Sequence, residues 1–106
     1  MNLKDGQVFR AVLFTKGRNT GKDHGVELRA VFYNNKVYFS RRNPNSDWLK
    51  NAIANPYVKI EYNDASFSGI ASLVKDENLA RKISQLKYAD NRSEESRIIL
   101  EITLCE

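Results

Sequence analysis

The sequence predicts a mainly β protein: six strands in an antiparallel Greek-key barrel with two peripheral helices, in the order β-β-β-α-β-β-α-β. Six segments are rich in β-branched and aromatic residues, and only two segments repeat apolar residues at helical spacing. Short asparagine-containing turns join most neighbouring strands, which excludes a parallel sheet built from βαβ units. Because the chain has 106 residues, of which 42% are hydrophobic, residues 1–106 are expected to form a single domain.

The first three strands are predicted over residues 7–15, 25–33 and 36–40. The first has two partly apolar faces, as expected where one side fills a barrel and the other meets a helix or a partner subunit. Asn34 and Asn35 supply a hairpin turn between the second and third strands, since asparagine tolerates positive φ.

The first helix is predicted over residues 47–54, after a loop that contains Pro44. Asn45 or Ser46 is the expected N-cap. Pro56 ends the helix, because the residue before a proline is pushed out of the α region.

The second half of the chain adds a hairpin, a helix and a last strand that is apolar enough to be central in the sheet. Asn63 and Asp64 form the turn of the hairpin. The hairpin strands, the helix, a polar loop and the last strand are predicted over residues 57–62, 66–74, 77–88, 89–95 and 97–104.

The composition limits the class of protein and its partners. A net charge of +4 favours anionic partners, such as phosphate-bearing cofactors or nucleic acid, although a solvated basic surface explains the same balance. Nucleic acid is disfavoured because aromatic residues are not interleaved with the basic ones. Cys105 and His24 stand alone, which excludes an internal disulfide and a multi-histidine metal site and favours the cytoplasm. No signal peptide or membrane-spanning run is recognised.

The loop at residues 16–23 is the most informative motif. Its glycines would let backbone N–H groups approach a ligand, and its basic and polar side chains would donate to phosphate oxygens. The spacing is not that of a Walker loop, and a charged hairpin turn is the alternative. The candidate phosphate ligands here are Lys16, Arg18, Asn19, Thr20 and Lys22.

Three further residues are candidates for a ligand site. Ser40 and Arg41 stand at the end of the third strand, where a hydroxyl and a guanidinium could bind an anion. Trp48 could stack on a planar ring, or it could simply anchor its helix to the core. His24 could donate to a phosphate or act as an acid, but a lone histidine at a strand edge usually does neither. Tyr88 is expected to pack rather than to donate a proton, and no catalytic residue is assigned.

Two motifs resemble the deazaflavin-dependent nitroreductase family, within the split-barrel flavin-binding superfamily of pyridoxamine-phosphate-oxidase-like proteins. They are Gly17-Arg18-Asn19-Thr20-Gly21-Lys22, and Asp47-Trp48-Leu49-Lys50-Asn51 followed by Asn55-Pro56-Tyr57-Val58. The resemblance implies a six-stranded split β-barrel that binds FMN or the deazaflavin coenzyme F-420. It also implies hydride transfer to a small quinone-like or nitro acceptor, in a homodimer.

By the same resemblance, Arg18 and Lys22 contact the phosphate or acidic tail of the cofactor, Ser40 lines its site, and Trp48 packs near its ring. The sequence departs from the family pattern at Asn19, where a basic residue is common, and at residues 23–24 and 41–44. A non-catalytic binding domain therefore remains the alternative: a split barrel without cofactor, or a small basic barrel that binds nucleic acid.

Overall fold

Six strands close into an antiparallel barrel in the computed structural model, which describes residues 1–94 and 97–105. The neighbours around the barrel are β1-β2-β3-β6-β5-β4, and β4 returns to pair with β1, so that β1 to β4 have the spatial order of a Greek key. The strands are β1 (Gln7–Lys16), β2 (Asp23–Tyr33), β3 (Lys36–Arg41), β4 (Tyr57–Tyr62), β5 (Ala65–Leu73) and β6 (Ile98–Leu104). The helices are α1 (Asp47–Ala54) and α2 (Glu77–Lys87), with a 3-10 turn at Asn91–Glu94.

The predicted fold class and element order are confirmed, and the differences lie at element ends. β2 begins at Asp23, two residues earlier than predicted, because the ladder with β1 continues to the pair Lys16↔Asp23. The loop between these strands is therefore only residues 17–22. The predicted polar loop at residues 89–95 contains the 3-10 turn, and Glu95 lies outside the described residues.

The turns follow the predicted chemistry. Asn34 and Asn35 have φ of 52° and 64°, and Asn63 and Asp64 have φ of 51° and 60°, in the left-handed region that these residues tolerate. Ser46 occupies the N-cap position of α1, but its side chain makes no capping hydrogen bond. Its hydroxyl instead accepts from Arg41 Nε at 2.8 Å and donates to a carbonyl at 3.1 Å.

The two helices pack into different hydrophobic clusters, one inside the barrel and one on its outer wall. Leu49 and Ala52 of α1 join the cluster that fills the barrel, so α1 belongs to the interior core. Ile83 of α2 packs with Val31 and Tyr38 on the outside of β2 and β3. The strands at the α2 side are consequently apolar on both faces, as the sequence of β1 indicates. Among the described residues, no helix is long and apolar enough to cross a membrane.

Candidate functional site

The loop after β1 is a tight turn closed by its own backbone. The N–H of Gly17 donates to the carbonyl of Lys22 at 2.8 Å, and that of Gly21 donates to the carbonyl of Gly17 at 2.9 Å. Gly21 has φ of 70°, and a Cβ on Gly17 would lie 2.8 Å from both His24 Nε2 and Thr20 Oγ1. The glycines therefore shape the turn, and their N–H groups bind within it, whereas the sequence suggested that they approach a ligand.

Arg18 is held in place by the first helix. Its Nη1 donates to Asn51 Oδ1 at 2.8 Å and to the backbone carbonyl of Asp47 at 3.3 Å, and its Nη2 lies 3.6 Å from Asp47 Oδ1. Asn51 is 6% exposed and its Nδ2 donates to the buried Thr15 hydroxyl at 3.4 Å. A chain of contacts thus links β1, the loop and α1, and it fixes the guanidinium before any ligand binds.

A cavity of about 780 Å³ lies between this loop, β2 and the start of α1; we call it the Trp48 cavity. Its volume falls in the range that small molecules and cofactors occupy. The Trp48 ring forms part of the wall and also packs edge-on against Phe39 of the core, with centroids 6.3 Å apart. Trp48 can therefore anchor its helix to the core and still offer ring surface to a ligand in the cavity. Other lining residues include Arg18, Thr20, His24, Leu28, Arg41 and Asn51, together with the carboxylates of Glu27 and Asp47.

A second cavity, of about 590 Å³, adjoins the first beneath the end of α2; we call it the Tyr88 cavity. The two cavities share Glu27, Leu28, Arg41 and Asn43. Its lining is rich in cations, and Glu27 is the one carboxylate among the lining residues that the structure describes. The lining also includes Arg10, Arg29, Ser40, Lys87 and Tyr88.

Lys87 is the unusual residue of the Tyr88 cavity. It is only 8% exposed, and its Nζ donates to the hydroxyl of Ser40, itself 8% exposed, at 2.8 Å. Arg29 Nη2 in turn donates to the backbone carbonyl of Lys87 at 3.0 Å. Burial lowers the pKa of Lys87 below its ordinary value, because an ammonium loses solvation there.

Tyr88 follows Lys87 in an extended conformation and lies among positive charges. The Lys87 ammonium is 5.4 Å from its ring centroid, and the guanidinium carbons of Arg29, Arg92 and Arg97 are 5.8, 4.8 and 4.3 Å away. Burial alone would raise the pKa of Tyr88, but the Lys87 charge and hydrogen bonds with Ser40 and Lys87 lower it below its ordinary value.

The structure divides the sequence-predicted site residues among three locations. The first cavity brings together Arg18, Asn19, Thr20, Arg41 and Trp48. Ser40 lines the second cavity, which Arg41 also reaches. Lys16 and Lys22 are exposed and line neither, so a role for them in binding a phosphate stays a prediction.

Sequence reasoning missed Asn51 and Lys87 and gave His24 no role. Asn51 appears in the quoted motif, but its bond to Arg18 joins residues 33 positions apart. Lys87 follows the buried Ile83 by four residues, so helical spacing alone assigns it to the packed face of α2. A lysine on the packed face of a helix is itself the signal that could have identified Lys87 as a candidate site residue.

Comparisons with known proteins agree with this architecture. The sequence model of the F420H(2)-dependent quinone reductase family matches residues 3–104. None of the curated proteins matches the sequence closely enough to indicate a relationship.

Three solved structures illustrate the shared fold. An F420-H2 dependent reductase has 18% sequence identity and a TM-score of 0.68, over 96% of this chain and 98% of its own. A Listeria innocua protein described as a candidate pyridoxamine 5'-phosphate oxidase has 17% identity and a TM-score of 0.71, over 92% and 84%. A structure described only as a domain-swapped dimer has 20% identity and a TM-score of 0.71, over 88% and 78%.

Proposed function

This chain belongs to the F420H(2)-dependent quinone reductase family, and from that premise we propose that it binds a deazaflavin in the Trp48 cavity and reduces a small quinone-like or nitro acceptor. The observation that carries the proposal is the convergence of Arg18, Thr20, Arg41 and Trp48 on one cavity of cofactor size. The alternative cofactor, FMN, and the alternative of a barrel without cofactor are outcomes of the test below.

The donor set of the cavity suits a cofactor with a phosphate or an acidic tail. Arg18 offers a guanidinium that α1 already orients, so little side-chain entropy is lost on binding. Arg41, Thr20 and Asn19 add one charged and two neutral groups on the same cavity. Lys22 is proposed to approach the outer end of such a tail from the exposed loop.

The apolar part of the wall suits a planar ring. Trp48 and Leu28 present carbon surface, and the packing of Trp48 on Phe39 holds its ring in one orientation. When bound, the reduced deazaflavin supplies a hydride, and a quinone that takes one hydride and one proton becomes a hydroquinone. The protein contributes binding, orientation and exclusion of water.

We also propose that residues 1–106 act as one domain and assemble as a homodimer in the cytoplasm. Ile53, Tyr57 and Ile70 are large apolar residues that are 53%, 67% and 44% exposed, and Tyr57 and Ile70 are direct partners across β4 and β5. Such a patch fits a second copy of the chain. A related fold is described as a domain-swapped dimer, which supports this assembly.

Titration tests the cofactor proposal. The purified protein is mixed with deazaflavin and, separately, with FMN, and binding is followed by absorbance. Saturable binding of deazaflavin, with weaker binding of FMN, is the expected result, and oxidation of the reduced deazaflavin by a quinone would then establish turnover. Absence of binding to both would leave the non-catalytic alternative.

Light scattering after size exclusion tests the assembly. The wild-type chain is expected at twice the mass of one chain, and Tyr57→Glu is expected to shift it toward the monomer, because a carboxylate would be buried at the interface. Lys82→Glu, an exposed change on α2, is the matched control. A dimer that survives Tyr57→Glu would exclude this patch as the interface.

A further inference from the structure

Two cations of the Tyr88 cavity, Lys87 and Arg29, donate hydrogen bonds to neutral groups. Lys87 donates to the hydroxyl of Ser40, and Arg29 donates to a backbone carbonyl. The carboxylate of Glu27 is occupied by Arg10, whose Nη1 lies 2.9 Å from its Oε1. Among the described residues that line the cavity, no further carboxylate is available to Arg29 and Lys87.

Without a ligand, the burial of the Lys87 ammonium beside a neutral hydroxyl has an unfavourable desolvation free energy. Burying an ammonium is unfavourable unless an opposite charge accompanies it, and a neutral hydroxyl replaces only part of the lost hydration. The depressed pKa of Lys87 reports this cost, and the depressed pKa of Tyr88 reports that the surroundings favour negative charge. Because the buried Lys87 ammonium is held by a hydroxyl at 2.8 Å, a bound anion would supply the opposite charge that this contact lacks.

The cavity is also built to recognise a specific group. Charged donors come from β2 and from α2, and the hydroxyls of Ser40 and Tyr88 add neutral donors. Because these elements are fixed in the barrel and on its outer wall, the donors are preorganised, which favours tight binding of one small anion.

We propose that the Tyr88 cavity binds the carboxylate of an aromatic acceptor whose reducible group lies in the adjoining Trp48 cavity. Leu28 and Arg41 belong to both cavities, so one molecule can occupy the two at once. This assignment rests on the proposed function for the acceptor's role, whereas the anion site itself does not. A neutral, lipophilic acceptor would leave Arg29 and Lys87 without a counter-charge.

Calorimetry with a matched pair of probes tests the anion site. The full chain without added cofactor is titrated with 4-nitrobenzoate and with the neutral 4-nitrobenzamide. The carboxylate is expected to bind at least about tenfold more tightly, the lower limit for a charge-assisted hydrogen bond. Equal affinity for the two probes would overturn the proposal.

Two variants test whether the tighter binding of 4-nitrobenzoate arises in the Tyr88 cavity. Lys87→Met and Arg29→Gln are each expected to abolish most of the difference in affinity between the two probes. Arg29→Gln keeps the test decisive if the buried Lys87→Met does not fold. Arg81→Gln, an exposed change on the same helix as Lys87, is expected to retain it. A preference that survives Arg29→Gln in a folded protein would overturn the assignment to this cavity.

A third measurement separates an acceptor from the acidic tail of the cofactor as the source of the carboxylate. In protein saturated with oxidised deazaflavin, 4-nitrobenzoate is expected to bind as before. With reduced deazaflavin it is expected to be reduced with a higher kcat/KM than 4-nitrobenzamide, one hydride and one proton converting the nitro group to a nitroso group with release of water. Competition with deazaflavin would assign the site to the cofactor and overturn the acceptor proposal. Binding without reduction of either probe, in protein whose reduced deazaflavin is still oxidised by a quinone, would overturn the acceptor assignment alone. Absence of turnover with the quinone as well would remove the proposed function and leave the anion site standing.

Discussion

The Trp48 cavity and the Tyr88 cavity are neighbours, yet they hold their charges in different ways. In the first, Arg18 is paired with Asp47, a carboxylate that is 88% exposed, and water screens the pair. In the second, Lys87 is 8% exposed and its acceptor is a neutral hydroxyl. In the free protein Arg18 therefore has a carboxylate partner, whereas the Lys87 ammonium is held by a neutral hydroxyl.

This contrast predicts which interaction controls ligand affinity in each cavity. In the Trp48 cavity an incoming phosphate must compete with Asp47 for a guanidinium that is already placed. In the Tyr88 cavity an incoming anion relieves an existing cost. We expect ligand affinity to depend on the placement of Arg18 in the first site and on the charge of Lys87 in the second, and four predictions test this difference.

The largest effect is expected for Arg18→Met, which removes the fixed cation of the Trp48 cavity. Loss of a charge-assisted hydrogen bond of about 1.5–3 kcal/mol weakens deazaflavin binding by about 10- to 150-fold. Absorbance titration measures it, and Lys50→Met on the exposed side of α1 is the control. Lys22→Met should cost less, because Lys22 does not line the cavity, and a larger loss there would reverse their relative importance.

A comparable effect on stability is expected for Asn51→Ala. Asn51 is buried and joins Arg18 to Thr15, so its removal leaves the buried Thr15 hydroxyl without this donor. We expect the free energy of unfolding in urea to fall by about 1–3 kcal/mol. Asn45→Ala, an exposed change beside the same helix, should leave it nearly unchanged. An unaltered midpoint in Asn51→Ala would mean that geometry at this site does not depend on the amide.

The third prediction concerns pH and the Tyr88 cavity. Because the pKa of Lys87 is lower in the folded chain, the unfolded chain binds more protons below about pH 10.4, and stability rises with pH toward that value. The stability difference between wild type and Lys87→Met should therefore shift in favour of wild type from about pH 7 to 10. Urea unfolding at each pH measures it.

The same comparison controls for Tyr38, whereas loss of the Lys87 charge also raises the pKa of Tyr88 in the variant and adds to the same shift in favour of wild type. Burial and Glu101 raise the pKa of Tyr38, which makes stability fall at the alkaline end, but Tyr38 is present in both proteins and its effect cancels. Parallel stability curves for wild type and Lys87→Met would contradict a buried, costly ammonium.

The smallest effect on stability is expected for Asp47→Asn. The lost ion pair is exposed, so the free energy of unfolding should change by less than about 1 kcal/mol. Deazaflavin binding should become modestly tighter, because the carboxylate no longer competes for Arg18. Weaker binding in Asp47→Asn would show that the carboxylate positions the guanidinium rather than competing for it.

The sequence was a good guide where structure is local. Asn34, Asn35, Asn63 and Asp64 form the hairpin turns that their backbone preferences predict, and α1 begins and ends at the predicted residues 47 and 54. The predicted ends of strands were less accurate. β2 is longer than predicted because its hydrogen-bonded ladder with β1 continues to Asp23, and the residues of the turn do not indicate where such a ladder ends. The Asp76 cap of α2 likewise follows from local chemistry, since its side chain accepts from two backbone N–H groups of the first turn.

The candidate sites divide along the same line. The order of the elements, the turns, and the loop and helix motifs that contain Arg18 and Trp48 could be predicted from the sequence, because alternation and motif spacing act over a few residues. The contacts of Lys87 with Ser40, 47 positions away, and with Arg29, 58 positions away, depend on how distant elements pack together. Barrel closure and the packing of α2 bring these residues together. The pKa and the binding properties of a buried charge depend on the groups that surround it, and sequence spacing does not report them.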